Sequence, residues 1–201
     1  MSRISHTKNE LKNQREALAR YRRFLPTLQL KKQQLQSEVR STRTDLERVQ
    51  KDRKDMMQDL ELWVDLFAEP LDILDLVQIK GVHAGQENIM GVEVPKLESV
   101  EFEELVPDLW STPPWIDDGL QKVKEATSLE IAREILTTRL NRLTQELRLT
   151  TQRVNLFEQV KIPECLDAIR QIQIVLGDRQ TAAVARAKLA KAKGIERETA
   201  A

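Results

Sequence analysis

The stretch LKNQREALARYRRFLPTLQLKKQQLQSEVRSTRTDLERVQ, residues 11–50, decides how the rest of the chain is read. Steps of seven from its first residue give Leu11, Leu18, Leu25, Lys32, Val39 and Leu46, and continue to Arg53 and Leu60. The companion row, three residues on, is Gln14, Tyr21, Leu28, Leu35, Thr42, Val49, Met56 and Trp63. Twelve of these sixteen positions are apolar or aromatic, while the residues between them are mostly Lys, Arg, Gln and Glu. That is the seam of a coiled coil, and its period of seven predicts one long helix. Thr7-Lys8-Asn9-Glu10 in front of it has the spacing of a capping box, so the helix should start there. Pro26 removes one intrahelical hydrogen bond. Because the seam keeps its phase from Leu25 to Leu28, a kink is expected there and not a break.

A second arm carries the same pattern. One row reads Leu129, Leu136, Leu143, Thr150, Phe157; the other reads Arg133, Leu140, Leu147, Val154, Lys161. Its start is expected at Asp117 or at Thr127-Ser128-Leu129-Glu130, another candidate capping box. Beyond Pro163 the apolar residues fall at Ile162, Leu166, Ile169 and Leu176, so the stripe moves around the helix. Each seam needs a partner, and the other arm is the nearest. The expected fold is mainly α, an antiparallel two-helix coiled coil with a small β-hairpin-containing middle. A homodimeric coiled coil is the alternative from pattern alone.

The organisation follows: residues 1–69 form the N-terminal arm, 70–119 the middle, and 120–201 the C-terminal arm with a basic tail. Four of the six glycines and five of the seven prolines lie in the middle, where turns are expected. Alternation over 76–82 and 88–94, separated by His83–Glu87 with Gly85, predicts a hairpin at about 76–94; Glu98–Glu104 reads as a further extended segment. An isolated hairpin is barely stable in water, so it should dock on the helices or on another protein. Charge divides the chain as well. Met1–Lys54 carries 15 Lys+Arg against 6 Asp+Glu, Asp55–Gly119 carries 2 against 16, and the remainder 15 against 10.

Little in the sequence points to chemistry. The glycines match no phosphate-cradling fingerprint, and His6 and His83 have no second ligand at metal spacing. Asp117-Asp118 reads as a helix cap and Cys165, the only cysteine, as a packed thiol. A lone cysteine allows no internal disulfide, which fits a reducing compartment. No apolar stretch is long enough to span a bilayer. Neither a catalytic site, a cofactor nor a metal is expected. Arg20, Arg22, Arg23, Lys31 and Lys32 could contact phosphates, but a solvated coiled-coil flank explains them as well.

At Arg153-Val154-Asn155-Leu156-Phe157-Glu158, followed by Ile162-Pro163, the chain resembles the C-terminal segment of the D subunits of V/A-type ATPases. That family has Arg-Val-Asn, a Glu three residues on, and an Ile-Pro that opens a final helix. Leu28, Lys31, Lys32 and Leu35 resemble its Leu- and Lys-rich first arm, and Phe24-Leu25-Pro26-Thr27-Leu28 looks like bacterial members. Leu156-Phe157 departs from the usual Ala-Leu. The resemblance implies a non-catalytic rotor shaft, the central stalk of an ATPase/ATP synthase moving H⁺ or Na⁺. Its implied partners are the A and B subunits of the catalytic head, the F subunit of the stalk, and a funnel-like component leading to the membrane ring. It implies no nucleic acid partner, and a place at the cytoplasmic face of the cell membrane, reached only through the complex. Arg153, Val154, Asn155, Glu158, Ile162 and Pro163 are then expected to serve partner contact or seam register. An RNA-binding or scaffolding arm is the competing reading.

Overall fold

The computed structural model describes residues 5–61, 77–103 and 113–199, with side chains to residue 193. Helix α1 spans Lys8–Glu61 and strands β1 and β2 span Ile79–Ile89 and Val92–Phe102. Helix α2 is Ile116–Asn155, a π-helical turn covers Leu156–Lys161, and α3 is Ile162–Thr199. Two long helical segments thus flank one two-stranded antiparallel hairpin. The chain divides into two compact units: Met1–Leu30 with Thr150–Ala201, and Lys31–Leu149.

Helix α1 starts where the cap requires. The Thr7 hydroxyl accepts from the Glu10 N–H at 3.2 Å, and the Glu10 carboxylate takes the Gln14 amide at 2.7 Å. The helix runs unbroken through Pro26. Helix α2 starts earlier than its second candidate cap. Thr127 and Ser128 lie inside it, their hydroxyls donating back to the Val123 and Lys124 carbonyls. This corrects the expectation of a start at Thr127. Burial of Ile116 and Leu120 against Val77, Trp115 and Val123 holds the earlier turns in the helix. Asp117 and Asp118 sit in that first turn, where the helix dipole favours negative charge.

In the unit Lys31–Leu149, the C-terminal part of α1 runs antiparallel to α2. Lys31 meets Glu146 at 2.7 Å, Arg53 meets Glu130 at 2.6 Å, and Lys122 lies 3.7 Å from Asp59. Leu35, Leu143 and Val94 are fully buried together, with Val39, Ile89, Val92 and Leu147 packed around them. The hairpin therefore docks on the helix pair. Arg139 pairs with Glu87 at 3.0 Å, and Arg142 donates to the Glu93 carbonyl.

The hairpin turn falls at Met90-Gly91 and not at His83–Glu87. Ile89 pairs with Val92 and Ile79 with Phe102, so Glu98–Phe102 belongs to β2. Met90 and Gly91 both have positive φ (51° and 80°), the backbone of a type I′ turn, whose twist matches the strands. The Asn88 side chain accepts from the Gly91 N–H at 2.9 Å and holds it. Gly85, read from the sequence as the turn glycine, lies within β1 opposite Lys96. Register shifts leave Lys80 and Glu98 without cross-strand partners.

In the unit Met1–Leu30 with Thr150–Ala201, the helices are again antiparallel. Tyr21 and Phe157 stack with ring centroids 5.0 Å apart, and Arg179 donates to the His6 carbonyl. Val154, Cys165, Ala168 and Ile172 are buried, as is Thr150. Leu166 is 43% exposed, so the seam position belongs to Cys165, one residue earlier than the apolar stripe indicates.

Candidate interaction surfaces

The motif residues 153–163 separate by face. Val154 is 2% exposed and Phe157 packs on Tyr21, both turned to α1, while Ile162 is half-buried. Arg153, Asn155 and Glu158 are exposed, and among the described residues none makes a hydrogen bond or ion pair. Pro163 is exposed beside them. Lys161, a seam position by spacing, bends out to Glu164 at 3.0 Å; that bond, with the carboxylate's charge, raises its pKa. The four positions of the first arm also differ in surroundings. Leu35 is fully buried and Lys31 pairs with Glu146, while Leu28 and Lys32 are half-buried.

Two further features escape a reading by motif. In the unit Lys31–Leu149, Arg53 and Arg133 occupy seam positions on facing helices and share one carboxylate. Glu130 takes Arg53 at 2.6 Å and Arg133 at 2.9 Å. The hydrogen bond from Arg133, more than the charge of either guanidinium, holds the Glu130 carboxyl below its usual range. The signal in the sequence was there: two arginines among the charged positions of mostly apolar rows, plus an acid three residues from one of them. In the same unit, an open groove of about 570 Å³ lies between β2 and the helices. Met56, Leu97, Leu129 and Ala132 line it together with Gln121, Lys124, Glu125 and Ser128.

Among the described residues, no group of three His, Cys, Asp or Glu side chains could hold a metal ion. Burial pushes the Cys165 thiol up, the opposite of what an activated thiolate needs. His83 is exposed, 3.3 Å from Glu101. No helix among the described residues is long and apolar enough to cross a membrane.

The family of ATP synthase D subunits matches residues 10–192. The chain belongs to that family. It is 40% identical over 197 residues to the V-type ATP synthase D subunit of Borreliella burgdorferi, covering 98% of each chain. It is 36% identical to the protein of the same name from Chlamydia pneumoniae, covering 94% of this chain and 92% of that one. With the Chlamydia muridarum protein it shares 35% over 195 residues, or 96% of each. Membership makes the chain a component of a V-type ATP synthase. It also gives the outward-facing Arg153, Asn155 and Glu158 a context, since one component of a complex must meet others.

Proposed function

We propose that this chain is the non-catalytic central stalk of a V-type rotary ATPase or ATP synthase. It would serve as the shaft coupling ATP chemistry in the head to H⁺ or Na⁺ movement through the membrane ring. The observation that carries the reading is the split within residues 153–163. Val154 and Phe157 face the other helix, whereas Arg153, Asn155 and Glu158 make no hydrogen bond or ion pair among the described residues. Polar side chains so disposed suit contact with another protein of the complex.

The partners in this reading are the A and B subunits of the catalytic head, the F subunit of the stalk, and the funnel-like component leading to the membrane ring. The location is the peripheral, cytoplasmic face of the cell membrane. A shaft biases its surroundings by making different contacts in each rotational state. The unit Met1–Leu30 with Thr150–Ala201 carries 16 Lys+Arg against 8 Asp+Glu, so acidic surfaces would be its natural counterparts.

The test is crosslinking and co-purification from native membranes. Crosslinks from residues 170–193 to the head, and from Ile79–Phe102 to lower-stalk proteins, are the expected result. Hairpin crosslinks to the head alone would reverse the orientation. Recovery of the chain with RNA in place of these partners, in a form dispersed by moderate salt, would replace the reading with the nucleic-acid one.

A further inference from the structure

The seam of α2 and α3 contains one residue too many. One row of inward positions reads Leu143, Thr150, Phe157, Cys165, Ile172: steps of seven, seven, eight and seven. The companion row reads Leu140, Leu147, Val154, Ile162, Ile169, Leu176, again with a single step of eight. Both rows place the extra residue between 158 and 161, where the helix widens into the π turn Leu156–Lys161. There the Ile162 N–H donates to the Phe157 carbonyl, five residues back instead of four. A π turn is how a helix absorbs one added residue without rotating everything beyond it. Had the heptads simply continued, the rows beyond Phe157 would run through Lys161, Glu164, Gln171 and Val175, with Ala168 the one member that is buried as it stands. Those rows are too polar to bury.

The turn is fixed from both sides. Moving it towards the N-terminus would turn Val154 and Phe157 out of the seam and bring Asn155 and Glu158 in. On the C-terminal side stands Pro163, which has no N–H to return to Glu158 or Gln159 and whose ring would crowd the Gln159 carbonyl in a regular α-helix. The segment is therefore short of backbone hydrogen bonds, and Leu156, Glu158, Gln159, Val160 and Pro163 are all exposed. A chain shorter by one residue here would give the same apolar seam on an uninterrupted α-helix. The helix pair does not need the skip.

We propose that the π turn at Leu156–Lys161 is a torsional joint, a place where α3 twists about its own axis relative to α1 while the seam on either side keeps its partners. In a shaft that carries torque, such a joint yields reversibly at a defined point instead of letting the helices slip in register. This rests on the shaft reading for its purpose, but not for its existence. The existence is tested on the isolated full-length chain by hydrogen exchange and thermal melting. Amides of Val160, Lys161, Ile162 and Glu164 should exchange roughly tenfold faster than those near Val154 and Ile172, because a turn that leaves carbonyls unpaired opens more readily than the α-helix around it. Deleting Gln159 together with Pro163→Ala, which removes both the extra residue and the ring that a regular α-helix would crowd, should bring them to the level of their neighbours without lowering Tm. Pro163→Ala, which leaves the length and seam unchanged, should slow the exchange part of the way. Uniform protection in the wild-type chain, or a deletion variant that melts well below it, overturns the joint. The purpose is tested in the reconstituted complex, where deletion of Gln159 together with Pro163→Ala should leave assembly intact and reduce ATP-driven turnover. Wild-type turnover there overturns the torsional role, and failure of the chain to join any ATPase complex would instead overturn the shaft reading.

Discussion

The two compact units solve one packing problem with different means. In Lys31–Leu149 a third element, the hairpin, lies on the helix pair, and Leu35, Leu143 and Val94 lose all contact with water. Ion pairs between the two helices, from Lys31 to Glu146 and from Arg53 to Glu130, add direction to the pairing. In Met1–Leu30 with Thr150–Ala201 only two helices meet. Leu11, Leu18, Leu25 and Leu28 of α1 remain half-buried, and deep burial comes only from the opposite helix. The comparison teaches that the same heptad pattern buries residues of both facing helices where a third element covers them, and of one helix where none does. It also locates stability: the first unit holds itself together, and the second relies on a narrow seam.

The largest expected effect sharpens this difference. Leu143→Asp places a charge in a site with no exposure, and should cost about 3–5 kcal/mol or unfold the chain. Leu18→Asp, in the half-buried row of the other unit, should cost clearly less, and urea unfolding monitored by circular dichroism measures both. Equal losses would erase the contrast between the units.

A smaller effect concerns Cys165, buried at 6% exposure in the two-helix unit, with a thiol pushed up in pKa by that burial. Alkylation near pH 8 should be slow in the native chain and fast in denaturant. Ready reaction without denaturant would mean that the narrow seam opens far more often than its packing implies.

The smallest effect belongs to Glu130. Its pKa is lowered from the ordinary value of 4.5, first by the Arg133 hydrogen bond and then by the charges of Arg133 and Arg53. A lowered folded pKa contributes stability that is present above the unfolded value and is lost as pH falls through the folded one. Glu130 is partly exposed, so solvent screens the effect. Wild type should therefore lose slightly more stability than Glu130→Gln between pH 5 and the acid limb. Parallel curves would show that the carboxylate shared by the two arginines contributes nothing.

The long helices were legible because a seven-residue period repeated many times leaves little ambiguity, and Thr7 marked the start of the first. The hairpin was legible in existence but not in register. Gly85 looked like turn chemistry, whereas the observed turn sets Met90, a residue unusual at positive φ, beside Gly91. Thr127-Ser128-Leu129-Glu130 has the spacing of a cap yet lies inside α2, because burial of Ile116 and Leu120 outweighs a local preference. Leu166 and Cys165 were exchanged for a related reason: hydrophobicity favours leucine, but the phase after an eight-residue step favours the cysteine. Arg153, Asn155 and Glu158 were legible as a motif, while their outward direction required the fold.

The central claim, that this chain transmits rotation and performs no chemistry, is tested most directly by measuring ATP hydrolysis and ion uptake in the same reconstituted vesicles. The variant to compare with wild type lacks Thr181–Ala201, a helical end whose residues 181–193 are all exposed, so its removal should cost little folding stability. The account predicts a complex that assembles and hydrolyses ATP but moves fewer ions for each ATP consumed. An unchanged ratio of ions to ATP would contradict it.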